Sequence, residues 1–221
     1  MPKGNRNGNR KRRSESGKRK LRLGYYYIVS DTKETEKNYF EGLRDSIPQE
    51  LRGHIKIEVK DGVNTKDLLQ VCLDESSVIP QYAELWIVLD RDEVPRFDDL
   101  VSEAKRRGVN VAWSNPCFEI WMDAYFESMR NFSNAAACTR AFGATYKKVT
   151  CREYNKNDKD IYKQLTKHGK EEMALSRATK KLVEHKRNGK NKPSEMCPGT
   201  TVHELVEEIK SKVNSNKAEG E

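Results

Sequence analysis

Residues Glu84–Pro95 read ELWIVLDRDEVP. The apolar run from Leu85 is unbroken rather than alternating, the pattern of a strand in a parallel sheet covered on both faces. The strand ends at Asp90, and Arg91 and Asp92 follow it. Period-two geometry puts Asp90 and Asp92 on one side of an extended segment and Arg91 on the other. Two carboxylates about 5 Å apart repel by roughly 3 kcal/mol at an effective dielectric of about 20. Such a pair calls for protonation, a basic partner or a cation.

Before this strand, GYYYIVS (Gly24–Ser30) is aromatic and β-branched and reads as a first strand. Tyr39, Phe40, Leu43 and Ile47 then fall at helical spacing, predicting a helix from near Thr32 or Glu34. HIKIEVKD (His54–Asp61) alternates Ile55, Ile57 and Val59, a strand at or near a sheet edge, and Asn64 is placed to cap a second helix. After the quoted stretch, Phe97, Leu100, Val101 and Ala104 form the buried stripe of a third helix that closes on basic residues and Gly108. VNVAWS (Val109–Ser114) is a fourth strand. Asn115 as cap and Pro116 at the first helical position predict a helix immediately after it.

The order β-α-β-α-β-α-β-α with short connections predicts an α/β fold, a doubly wound sheet of about four parallel strands. Beyond about residue 130 no strand is expected. Helices are read over 133–142, 157–168 and 170–187, and TTVHELVEEIKSKV closes the chain with Val202, Leu205, Val206, Ile209 and Val213 on one side. Thr201 and Glu204 have capping-box spacing at its start. The expected organisation is a disordered basic tail (1–22), an α/β core (23–130), a helical C-terminal region packed on or beside it (131–214) and a disordered end (215–221).

The chain has 221 residues and a net charge of +8, which is concentrated in the tail. Residues 1–22 carry ten of the 42 basic and one of the 34 acidic side chains, leaving the remainder at −1. Such a tail either adds nonspecific affinity for nucleic acid through counterion release or merely solubilises the terminus. The five cysteines are scattered without metal-site spacing, which fits free thiols in a reducing cytoplasm. No apolar run approaches the roughly 20 residues of a membrane span, and no hydrophobic region follows the basic start as in a secretory signal. No P-loop or G-x-G-x-x-G pattern is present.

In a doubly wound sheet, ligands bind beyond the carboxyl ends of the strands. The residues placed there are Asp31, Asp90, Asp92, Asn115 and Glu119. Acids gathered at one spot suit a hard divalent ion such as Mg²⁺. The competing reading makes Asp90 and Asp92 turn residues paired with Arg91 or Lys33. Cys117 reads as a thiolate favoured in a helix's first turn or as a small buried residue, and His203 as a cap-region or surface histidine. The stretch from Tyr146 to Lys170 interleaves Lys, Tyr and Arg, as either a polyanion contact or a solvated face.

TEKNYFEGL after the first strand, LDRDEVPRF, SNPCFEIW and PGTTVHELVEE, in that order, resemble the RloB family of phage-defence proteins, which lies close to the Toprim-fold nucleases. The resemblance runs from about residue 24 to 210. It implies a Toprim-like core in which Asp90 and Asp92 hold Mg²⁺ (or Mn²⁺) for cleavage of DNA or RNA. A third acid follows the first strand. The family usually reads Glu-Gly there, whereas this chain reads Asp31-Thr32. Asp is shorter than Glu by one carbon–carbon bond, about 1.5 Å. Asp31 then reaches the metal through water, Glu34 or Glu36 substitutes for it, or the site is weakened. Glu36 matches the family's Thr-Glu pair. Glu119 joins the catalytic set, with Asn115, Lys33 and Arg91 toward substrate. The resemblance also implies an AAA- or ABC-type ATPase partner and an effector role in antiviral defence, with a homo-oligomer left open. The alternative is a non-catalytic nucleic-acid-binding or adaptor subunit with a degenerate site.

Overall fold

The computed structural model describes residues 23–30, 34–60, 63–91 and 94–217. Asp31, Lys33 and Asp92 lie outside the described residues, as do the tail 1–22 and residues 218–221.

The chain forms a mixed α/β fold. β1 (Tyr26–Ser30), β2 (Ile55–Val59), β3 (Glu84–Asp90) and β4 (Asn110–Asn115) pair in parallel in the order β2-β1-β3-β4. β1 lies between β2 and β3 and is buried along its whole length, as its apolar sequence requires. β2 stands at the edge, in keeping with its alternating pattern.

Side chains alternate between the faces with the strand period of two. Tyr26, Ile28, Trp86, Val88 and Ala112 enter one apolar cluster; Tyr27, Val29, Ile87, Leu89 and Trp113 enter the other. The first face is covered by α1 (Thr35–Ser46), whose Tyr39, Phe40 and Leu43 are buried. The second is covered by α2 (Thr65–Val78) and α3 (Phe97–Arg106) through Leu68, Leu69, Phe97 and Ala104. Gly108, at φ 77°, turns the chain out of α3 toward β4.

The helical extension comprises α4 (Glu119–Asp123), α5 (Ala135–Thr150), α6 (Ile161–His168), α7 (Glu171–Arg187) and α8 (Val202–Lys217). Its apolar residues merge with the first cluster, so extension and sheet share one core. The α8 stripe Val202, Leu205, Val206, Ile209 and Val213 is buried there, and α8 runs three residues past the boundary at 214.

Several local expectations are corrected. Asn115 does not cap a helix. It ends β4 beside Gly199, its amide donates to the carbonyl oxygens of Pro193 and Ser194 at 3.1 Å each, and the Asn115–Pro116 bond is cis. These tertiary partners displace the local cap, and α4 starts at Glu119. A strand does occur late in the chain: β5 (Gly199–Thr200) pairs antiparallel with β4. Thr201 gives its hydroxyl to the Val111 carbonyl at 2.9 Å and accepts the Trp113 N–H at 2.9 Å, so it stitches α8 to the sheet rather than closing a capping box. His203 is buried rather than on the surface.

Candidate active site

Asp90 is the last residue of β3 and lies beside Ser114 of β4 in the register. β1 leads to β2 on one side and β3 leads to β4 on the other, so the strand order reverses between β1 and β3. Asp90 therefore stands at the topological switch point, where a doubly wound sheet opens a crevice. Its Oδ1 is shielded from solvent.

Two further carboxylates stand on the helices that follow β1 and β4, the strands flanking β3. Glu36 lies in the first turn of α1 and is buried. Glu119 opens α4 and is 2% exposed. A negative charge in the first turn of a helix is favoured by the macrodipole. Burial of this depth nevertheless requires hydrogen bonds or a counter-ion.

Both partners of Glu119 come from the connection between α5 and α6. The Tyr154 hydroxyl donates to Glu119 Oε1 at 3.0 Å, and Lys156 Nζ stands 3.7 Å from the same oxygen. The connection is pinned to α1 as well. The Tyr154 hydroxyl lies 3.1 Å from Thr35 Oγ1, and Asn38 Nδ2 donates to the Lys156 carbonyl at 3.2 Å. The Tyr154 ring packs edge-on to Phe142 and Tyr146. Burial, and then the Glu119 carboxylate, push the Tyr154 phenol far above its ordinary range, so it remains a donor.

Lys156 reports the joint field of the acids. Burial lowers the pKa of its ammonium, but the carboxylates of Glu119, Glu36 and Asp90, in that order, more than reverse this and raise it. All three acids thus act on one cation through their charge, and Glu119 is the one in ion-pair range of it.

Cys117 is buried beside this cluster and does not sit in a helix. A hydrogen bond with Cys138, burial, and the charges of Glu119 and Asp90 push its thiol far up, which removes it as a thiolate.

Of the residues expected at the site, Glu36, Asp90 and Glu119 all lie near enough to Lys156 to act on its charge. Asn115 is buried close by in sequence, with its amide nitrogen directed into the fold. Arg91 is exposed; it donates its backbone N–H to the Ser114 carbonyl at 2.8 Å and borders a cavity of about 310 Å³ with Lys192 and Ser194. Asp31, Asp92 and Lys33 fall outside the described residues. Tyr154 and Lys156 join the site without having been singled out. Their only sequence signal is the Lys-Tyr-Arg interleaving from Tyr146 to Lys170, which says nothing of the fold-back onto α1.

A cleft of about 680 Å³ lies elsewhere, between α2 and α3. Its charged groups are engaged: Arg96 pairs with Asp99 at 2.8 Å, and Arg107 donates to Gln70 at 3.0 Å.

A model described as RloB-like protein matches residues 26–209. The chain belongs to the RloB-like protein family. Within this RloB-like chain, the matched span takes in every strand and every residue placed at the site above. No curated protein and no solved structure matches the chain.

The donor chemistry around Asp90 suits a hard ion: the described groups offer carboxylate oxygens, and the nearby sulfur stays protonated. Among the described residues no group of three or more His, Cys, Asp or Glu is placed to hold a metal ion. Among the described residues, too, no helix is long and apolar enough to cross a membrane, and the five cysteines are free thiols.

Proposed function

We propose that the chain is a Mg²⁺-dependent nuclease hydrolysing phosphodiester bonds of DNA or RNA, and the effector of an antiviral defence pair with an AAA- or ABC-type ATPase. The chemistry is supported by one observation above all. Asp90 ends its strand where the order of a parallel sheet reverses, and its charge acts on Lys156 together with those of Glu36 and Glu119. The defence context is what the resemblance to the RloB family implies.

Asp90, with Asp31 and Asp92, would hold the ion in a Toprim-like arrangement. When bound, Mg²⁺ polarises a phosphate oxygen and lowers the pKa of the attacking water. Glu36, at the start of α1, would take a proton from that water. Glu119 is fixed in orientation by Tyr154. Lys33 and Arg91 would contact the substrate strand, and the basic residues of 1–22 would add salt-sensitive affinity for its backbone.

Cleavage of a labelled oligonucleotide tests this. The wild-type protein cleaves in Mg²⁺ and not in EDTA. Asp90→Ala loses more than about 100-fold in rate, since even outer-shell partners of a metal contribute 10- to 100-fold, while its melting temperature stays within a few degrees. Cleavage by Asp90→Ala at the wild-type rate refutes the assignment.

A second reading, the non-catalytic nucleic-acid adaptor, is favoured by the engagement of Glu119 with Tyr154 and Lys156. In that case oligonucleotide binding persists without any metal response and disappears on deletion of residues 1–22.

A further inference from the structure

We infer that Lys156 receives the substrate directly: its ammonium contacts a non-bridging oxygen of the phosphate that enters the crevice beside Asp90. This makes Lys156 a further catalytic residue and rests on the phosphodiester reading above.

The connection Cys151–Asp160 is held in place on both sides of this lysine. The Tyr154 hydroxyl is tied to Glu119 and Thr35, and the Lys156 carbonyl to Asn38. The backbone therefore delivers the side chain to one place rather than leaving it on a free loop. Charge-assisted N–H···O bonds run to about 2.7–2.9 Å. The separation of 3.7 Å from Glu119 is longer than that, and the lysine side chain is 54% exposed where Glu119 is 2% exposed. An ammonium has three donors and no acceptor. Lys156 thus turns one side to the acids and keeps the other toward solvent, with donors available to an incoming anion.

In the same connection the exposed Arg152 and Lys159 are matched by the exposed Glu153 and Asp160, so Lys156 itself supplies the positive charge beside the acids. A bare acid cluster repels a phosphodiester, and a cation at its rim offsets that repulsion at the point of entry. As negative charge grows on the phosphate oxygens during displacement, a fixed ammonium stabilises it more than it stabilises the ground state. The competing role, a counter-ion that merely neutralises Glu119, predicts loss of stability on removal but no change in contact with nucleic acid.

The test uses the full chain and a fluorescent single-stranded oligonucleotide, as DNA and as RNA, titrated in EDTA at several salt concentrations. Each phosphate contact to a single strand contributes about 0.7 to the slope of log K against log salt. Lys156→Met is expected to reduce that slope by about 0.7. Lys156→Arg, and Lys180→Met on the exposed side of α7, are expected to keep it. Should the methionine variant unfold in a melting scan, Lys156→Gln takes its place. An unchanged slope in the neutral variant overturns the inference, and so does a wild-type protein that binds no oligonucleotide. Cleavage in Mg²⁺ is read separately on the same samples. A wild-type protein that binds but does not cleave counts against the nuclease while the slope still decides the lysine. A Lys156→Met protein that cleaves normally while Asp90→Ala is inactive refutes the lysine and leaves the nuclease standing.

Discussion

A buried histidine shows how much a single environment changes a side chain. His203 lies in the first turn of α8, 4% exposed, with Nδ1 3.0 Å from the Thr200 carbonyl. Burial brings its pKa down to about 4. In the unfolded chain the imidazole titrates near 6.5, so the unfolded state takes up a proton that the folded state refuses until about pH 4. The contribution is therefore fully present above about pH 6.5 and is lost as pH falls toward 4, by about 3 kcal/mol in all. Urea unfolding between these pH values tests it. His203→Asn, which keeps a donor for the Thr200 carbonyl, is expected to show a pH dependence weaker by about that amount. An equal pH dependence in both proteins contradicts the assignment. Glu119 makes a related point: a carboxylate 2% exposed is tolerable only because Tyr154 and Lys156 reach it from more than 30 residues away.

At the scale of elements, α1 and α6 approach closely because Gly42 has no side chain. A Cβ there meets the Tyr162 Cβ at 2.5 Å, an atom too near its own backbone to swing aside. Gly42→Ala gains up to about 1 kcal/mol of helix propensity but forces the helices apart at a cost of about 1–3 kcal/mol. Net destabilisation of up to about 2 kcal/mol by urea denaturation is the expected outcome, and a stabilised variant contradicts this packing. Elements whose sequence carries its own period were legible: the four parallel strands, α1 to α3 and the apolar stripe of α8. Elements defined by a distant partner were not. β5 is two residues long and exists only because β4 offers an edge to it. Asn115 and Thr201 have the local chemistry of caps, but their side chains are taken by the Pro193–Ser194 carbonyls and by β4. α5 extends to Thr150, eight residues beyond the helix read from spacing, because Phe142, Thr145 and Tyr146 find burial in the shared core.

For the whole molecule, the sheet and the helical extension form one packed body with a single crevice chemistry. The strand order places Asp90 at the reversal point, α1 and α4 bring Glu36 and Glu119, and the extension returns to supply Tyr154 and Lys156. The acids could be named from the sequence because strand ends are legible. Lys156 could not, because it lies 66 positions along the chain from Asp90, with a strand and three helices between them. The central claim is that this gathering of carboxylates serves a divalent cation. Anomalous scattering from a crystal soaked in Mn²⁺ tests it most directly. The account predicts a peak within about 2.5 Å of an Asp90 carboxylate oxygen, absent from an Asp90→Ala crystal. A soaked crystal with no peak at Asp90, and with Lys156 drawn fully onto the acids, contradicts it.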